Sequence, residues 1–173
     1  MAFLVEPGTG LTNSNAYLSV ADFKAYHADR GNDLSAFATG DIEDAIVKTS
    51  DYLDRRFRRK FKGDTLIPQN AQRMQWPRVN AFYLDGTNIL GVPREIEEAT
   101  AEYGFIALSS ALAPNPVTDT RNQIVVEEEK AVGPIKKRTK YAQGGGQFSF
   151  KEYPVIDAIL RELIIAGNEL RRA

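Results

Sequence analysis

Apolar residues recur at three- and four-residue spacing in a few stretches and crowd into short irregular groups elsewhere. That pattern predicts helices joined by long, ordered loops. The longest regular stripe is Ile42, Ala45, Ile46, Thr49, Leu53, Phe57 and Phe61, which predicts one helix from about Asp41 to Lys62, closed by Gly63-Asp64. Ahead of it, Ser19 and Asp22 form a capping pair. A short helix therefore opens there and runs to about Arg30, where Gly31 is placed to end it in the left-handed conformation. Val92-Pro93-Arg94-Glu95 reads as a third start, with Pro at the first helical position and Glu95, Glu97 and Glu98 against the positive helix end. This helix runs to about Leu112, because Pro114-Asn115-Pro116 forbids its continuation. A last helix begins near Pro154 and carries Val155, Ile156, Ile159, Leu160, Leu163 and Ile164.

The segments between these helices differ in kind. Residues 1–18 are turn-rich, with Pro7-Gly8-Thr9-Gly10 and Thr12-Asn13-Ser14-Asn15. Residues 64–91 read as an ordered loop in which Trp76, Phe82, Tyr83 and Leu84 are expected to be buried. Within it, Gln75-Trp76-Pro77-Arg78 is extended, since the residue before a proline is pushed out of the α region. Asn122–Tyr141 is β-rich, with acids before Gly133-Pro134 and Lys136-Lys137-Arg138 after it. A two-residue turn there sets Glu129 opposite Arg138, Glu127 opposite Lys140 and Lys130 opposite Lys137. Favourable cross-strand pairs of this kind contribute about 0.2–1 kcal/mol each. Gln143-Gly144-Gly145-Gly146-Gln147 reads as a flexible joint. The fold class expected is mainly α with a small β part: a bundle of about four helices plus a projecting antiparallel β-hairpin. It is expected as one domain, with a helical core over 1–112, a hairpin arm over 122–142 and a C-terminal helix and tail over 153–173.

Composition narrows the functional classes. At 173 residues, 43% hydrophobic and 26% charged, the chain has the make-up of a globular domain able to bury a core. A formal charge of −1 gives no global pull toward nucleic acid or membrane. Without cysteine there is no disulfide framework, thiolate nucleophile or Cys-based zinc site. The first residues lack a basic leader, and no apolar run approaches the roughly 18–20 residues of a membrane span. A soluble protein that does not follow the signal-peptide route is expected.

Candidate chemistry is sparse. His27 is the single histidine and has no nucleophile in sequence context, so a packing or surface role is expected of it. Arg55, Arg56, Arg58, Arg59, Lys60 and Lys62 cluster at the end of the long helix. They are either a solvated or interface face complementing the negative helix terminus, or a contact for DNA phosphates or an acidic neighbour. Tyr141, Phe148, Phe150 and Tyr153 flank the glycine run and either stack bases or anchor the base of the hairpin. The triple glycine lacks the Lys-Ser/Thr and strand-to-helix setting of a phosphate loop. Glu127-Glu128-Glu129 is either one half of a charged hairpin or a metal-binding run, the former preferred. No catalytic constellation, cofactor motif or metal-ligand pattern stands out, and an enzyme is not expected.

A set of ordered blocks does carry a resemblance. These are Glu6-Pro-Gly-Thr-Gly-Leu11, Asn13-Ser-Asn-Ala-Tyr17, Ala25-Tyr-His-Ala-Asp-Arg-Gly31, Ala45 through Thr49-Ser-Asp-Tyr-Leu-Asp54, Phe61-Lys-Gly63, Gln75-Trp-Pro-Arg78, Val92-Pro-Arg-Glu-Ile-Glu-Glu-Ala99, Val132-Gly-Pro-Ile-Lys136 and Tyr153-Pro-Val-Ile-Asp157. In that order they resemble the tailed-phage head–tail adaptor (connector) family, whose members are often labelled DnaT-like single-stranded-DNA-binding proteins. The resemblance implies a structural virion protein forming a dodecameric ring under the portal, extending the DNA channel and docking a tail or stopper protein. It also implies host cytoplasm during assembly and the head–tail junction afterwards as its location. On that reading Tyr153, Pro154, Val155, Ile156, Ile159, Leu160, Leu163, Ile164, Arg171 and Arg172 are candidates for binding the portal. Glu127, Glu129, Lys136, Lys137, Arg138 and Lys140 are candidates for subunit or tail contact. The label keeps a second function open, an accessory protein of phage replication that binds single-stranded DNA. The Arg55–Lys62 cations are its candidate contact.

Overall fold

In a computed structural model, residues 2–67, 71–113, 125–131, 136–141 and 151–165 are described. Ser19 caps the first helix, α1 (Val20–Ala28), by accepting the Asp22 N–H, and Gly31 follows with φ +72. The second helix, α2, spans Thr39–Phe57, with the Asp41 carboxylate accepting the Ala38 N–H at 3.2 Å. It ends five residues before the expected Lys62. Lys60 and Phe61 both donate to the Phe57 carbonyl, and the chain turns into an extended segment instead of another helical turn. Phe61 is fully buried as the stripe requires, but by an antiparallel bridge to Ile164. Arg58, Arg59, Lys60 and Lys62 therefore do not ride on a helix. The period-four spacing of Phe57 and Phe61 reports a shared core, reached by two different backbones.

The loop after α2 is tied by two short strands, β1 (Asp64–Thr65) and β2 (Arg78–Val79), paired antiparallel with Thr65 opposite Arg78. Trp76, joined to Pro77 by a cis bond, is fully buried with its ring 5.8 Å from that of Phe61. Burial does not extend to the rest of the loop as expected. Phe82 is 46% and Leu84 79% exposed, and Tyr83 is half-buried. The reason is a tight turn: Tyr83 N–H bonds the Thr87 carbonyl and Ile89 N–H the Ala81 carbonyl. The residues between are thereby held at a loop tip. Pro93 proves to be the N-cap of α3, which runs from Arg94 to Ser109. The last helix is shorter than its apolar residues suggested, α4 (Pro154–Ile159) tightening into a 3₁₀ turn, Leu160–Leu163. Ile164 then leaves the helix to pair with Phe61.

The main helical contact is α2 against α3. One core cluster joins Leu53, Phe57, Trp76, Ile96 and Tyr103 to Ile156, Leu160 and Leu163; a second joins Phe23, Ile42, Ile46 and Ala101 under the N-terminal segment. That segment is held by Glu6, only 3% exposed. Its carboxylate accepts the N–H groups of Gly8, Thr9, Gly10 and Leu11 and the hydroxyl of Ser14. His27 is buried against the Ala101 carbonyl and Asn32, a packing role.

The chain divides into two compact units, Met1–Leu112 with Glu152–Ala173, and Ala113–Lys151. The second contains an antiparallel ladder of β3 (Val125–Ala131) and β4 (Lys136–Tyr141). Its register is the one expected from a two-residue turn: Glu127 opposite Lys140, Glu129 opposite Arg138 and Lys130 opposite Lys137. An irregularity between Val125 and Glu127 interrupts it. The expected turn at Gly133-Pro134 and the expected joint at Gln143–Gln147 lie outside the described residues. The fold is mainly helical with a small β part.

Candidate functional site

The cationic cluster of the sequence is split three ways. Arg56 turns inward, donating to the Tyr103 hydroxyl at 2.6 Å and the Tyr52 hydroxyl at 3.3 Å and pairing with Asp157 at 2.9 Å. It ties α2 to α3 and α4, which removes it from the candidate DNA or partner contacts. Arg59 and Lys60 are exposed, and the Lys62 ammonium donates to the Phe82 carbonyl at 3.3 Å. Arg55 and Arg58 line a pocket of about 260 Å³, together with Asp51, Asp54, Thr65, Gln72, Arg73 and Gln75.

Three elements build that pocket. The end of α2 and its C-cap supply Asp51, Asp54, Arg55 and Arg58, β1 supplies Thr65, and the loop before β2 supplies Gln72, Arg73 and Gln75. Gln72, 4% exposed, pins that loop by accepting the Ile67 N–H and donating to the Met74 and Pro77 carbonyls. Arg73 N–H bonds the Leu11 carbonyl at 3.1 Å, which sets its backbone beside the helix end. The fully buried Tyr17 donates its hydroxyl to the Asp54 carboxylate and accepts the Gln75 and Trp76 N–H groups; Gln75 N–H also reaches Asp54 at 3.1 Å. Arg55 pairs with Asp51 at 3.5 Å. Arg73 is the residue that sequence reasoning missed. It stands alone in a loop far from the cationic run, with no periodicity to connect them.

Loss of hydration pushes the Asp54 carboxyl up to about 7, helped by the neighbouring Asp51 charge and opposed by the hydrogen bonds from Tyr17 and Gln75 and by Arg58. Such an acid holds its proton more tightly folded than unfolded, so its contribution to stability falls as pH rises from about 4 to about 7 and is level above. Buried His27, its pKa lowered by desolvation, works oppositely and costs stability below its ordinary value. The Asp54 share is therefore read as a difference. Between pH 5 and 8, thermal melts of the native chain lose on the order of 5 °C that melts of Asp54→Asn do not. Equal pH slopes in the two proteins would refute this.

The other candidates are placed as follows. Ile156, Leu160 and Leu163 are buried, Ile159 and Ile164 half-buried, and Tyr153 donates to the Leu112 carbonyl while its ring meets Tyr103 at 5.2 Å. Pro154 and Val155, the latter 72% exposed, are the candidates of this segment that stand exposed. Arg171, Arg172, Phe148 and Phe150 lie outside the described residues. The hairpin candidates, from Glu127 and Glu129 to Lys136, Lys137, Arg138 and Lys140, are brought together in one ladder with Tyr141 at its open end. Among the described residues no helix is long and apolar enough to cross a membrane, and no group of three or more His, Asp or Glu side chains is set to hold a metal.

A family model described as "Putative DnaT-like ssDNA binding protein" matches residues 1–173. No curated protein and no solved structure matches.

Proposed function

The chain belongs to that family of DnaT-like proteins, matched from end to end, and from this premise we propose that it is a head–tail adaptor of a tailed phage. Copies form a dodecameric ring under the portal protein, lengthen the DNA channel and offer a docking surface to a tail or stopper protein. The protein works by assembly rather than catalysis, in the host cytoplasm first and at the head–tail junction of the virion afterwards. Packaged DNA passes through without sequence-specific contact.

The observation that carries this reading is the separate hairpin unit. A two-stranded ladder is marginal alone in water. One whose strands are acidic and basic is suited to gain its stability from a neighbouring subunit. Near-zero net charge agrees, because a strongly basic bore would retard DNA. In the helical unit Ile156, Leu160 and Leu163 are buried, so of the apolar candidates named for the portal Pro154 and Val155 are the exposed ones.

The test is to mix the protein with the portal encoded by the same phage and image the product by negative-stain electron microscopy. A new ring layer beneath the portal is expected; its absence at micromolar concentrations of both would reject the adaptor reading. The family description and the Arg55, Arg58 and Arg73 pocket favour a second reading, a replication accessory protein binding single-stranded DNA. It predicts oligonucleotide affinity falling steeply with salt as phosphate contacts release counterions. The adaptor reading predicts portal binding with little salt dependence.

A further inference from the structure

We infer that the arginine-lined pocket beside α2 binds a single phosphate group. The pocket takes no part in the assembly reading, so this site goes beyond it; for the second reading it means one phosphate per pocket.

The lining is laid out for one oxyanion. Asp51, Asp54, Arg55 and Arg58 fall at i, i+3, i+4 and i+7, so one face at the end of α2 presents them all. Half-buried Arg73 joins them from the loop that Gln72 and the Leu11 carbonyl hold in place. A guanidinium offers phosphate two parallel N–H donors, and three of them line a pocket of about 260 Å³. Thr65 and Gln75 add a hydroxyl and a carboxamide able to donate to the remaining oxygens. The volume lies below the range of about 300–1,000 Å³ typical of sites for whole small molecules, and so suits a group rather than a molecule. Asp51 and Asp54 set the limit of charge: one phosphate meets three cations against two carboxylates, whereas a second alongside would meet the carboxylates. Arg55 is paired with Asp51, and Arg58 and Arg73 make contacts of their own within the chain, so the cations are positioned before the anion arrives.

Asp54 makes the site sensitive to pH. Its carboxylate accepts the Tyr17 hydroxyl from the N-terminal segment and the Gln75 N–H from the loop. The charged groups around it are Asp51, Arg55 and Arg58 on α2 and Arg73 on the loop. Tyr17 stays protonated, because burial and the Asp54 charge raise its pKa. Loss of hydration already lifts the Asp54 carboxyl to about 7. A phosphate in the same pocket sets a further negative charge beside it and lifts it again. Filling the pocket therefore draws a proton onto Asp54, and affinity falls as pH rises through about 7 and above.

The test follows the amide NMR spectrum of the isotope-labelled full chain during titration with inorganic phosphate, with chloride at equal ionic strength as the control. Saturable shifts at Thr65, Arg73 and Gln75 are expected. Arg58→Gln and Arg73→Gln, each native by circular dichroism, should weaken binding at least about tenfold through loss of charged hydrogen bonds. Sulfate keeps its charge across neutral pH and serves for the pH series. Its affinity should fall at least about threefold between about pH 6 and pH 8 in the native chain and stay level in Asp54→Asn. One oligonucleotide, made with a 5′-phosphate or a 5′-hydroxyl, then competes with inorganic phosphate. Displacement by the 5′-phosphate form alone assigns a terminal phosphate, displacement by both forms a backbone phosphate, and displacement by neither free phosphate; each supports the site. Chloride that reproduces the shifts, shifts that do not saturate at tens of millimolar, or undiminished binding in both arginine variants would overturn it. Equal pH slopes in the native chain and Asp54→Asn would overturn the part given to Asp54 and leave the phosphate site. A missing ring layer beneath the portal rejects the adaptor reading alone, so the two failures are distinguishable.

Discussion

Gly63→Ala is expected to destabilise the chain by about 4 kcal/mol, enough to unfold a marginal domain. Gly63 has φ +68, which an alanine adopts at a cost of about 1–2 kcal/mol. The larger part is steric. An added Cβ would sit 2.2 Å from the Val79 carbonyl oxygen, 2.8 Å from Ala81 N and 2.9 Å from Asn80 C. All three are backbone atoms and cannot rotate away. They are held where they are by the β1–β2 pairing and by Arg78, only 7% exposed, whose guanidinium donates to the carbonyls of Lys62, Gly63 and Gln75. Gly31→Ala is the control, with φ +72 but nothing within 4 Å of the new Cβ. It should cost only the conformational part, about 1–2 kcal/mol. Urea titrations of the two variants separate the effects. If they lose equal stability, the close approach at Gly63 is not what holds the turn.

That clamp shows what the sequence blocks carrying the resemblance encode. Glu6, Ser14, Tyr17, Asp54, Gln75, Trp76 and Arg78 all fall in blocks that carry the family resemblance. Each is a fixed point of loop structure: Glu6 gathers four backbone N–H groups and the Ser14 hydroxyl, Tyr17 links Asp54 to Gln75 and Trp76, and Arg78 grips three carbonyls. The blocks therefore identify a loop scaffold and are silent on chemistry.

Legibility followed the range of the interaction. The Ser19 cap, the Gly31 stop, the buried stripe of α2 and the β3–β4 register follow from residues a few positions apart or from the spacing of two short strands about Gly133-Pro134, and the sequence displays them. The end of α2 is set by Ile164, about a hundred residues away, which draws Phe61 into an extended bridge. No local pattern reveals that. The candidate site failed in the same way, because Arg73 joins Arg55 and Arg58 only through the loop that Gln72 and Leu11 position. Exposure of Phe82 and Leu84 was missed for a different reason: hydrophobicity was read as burial, whereas hydrogen bonds at the turn decide the direction of those side chains.

Arg56 illustrates how a residue in a cationic run can be structural, and its replacement gives the second large effect. Its side chain is 10% exposed and that of its partner Asp157 33%. Arg56→Met keeps the aliphatic packing but leaves the Asp157 carboxylate and the Tyr103 hydroxyl without the guanidinium that joins them. The expected loss is about 3 kcal/mol, the low end for breaking a buried pair, because Asp157 keeps some access to water. Removing the second charge as well, in Arg56→Met/Asp157→Leu, should recover much of that loss, since the stranded carboxylate is gone. A double-mutant cycle in urea reads both numbers. Because Arg56 faces α3 and α4 rather than the pocket, partner and oligonucleotide affinities measured well below the melting temperature should be unchanged in both variants. Unaltered stability with lost affinity would return Arg56 to the contact surface and reverse its assignment.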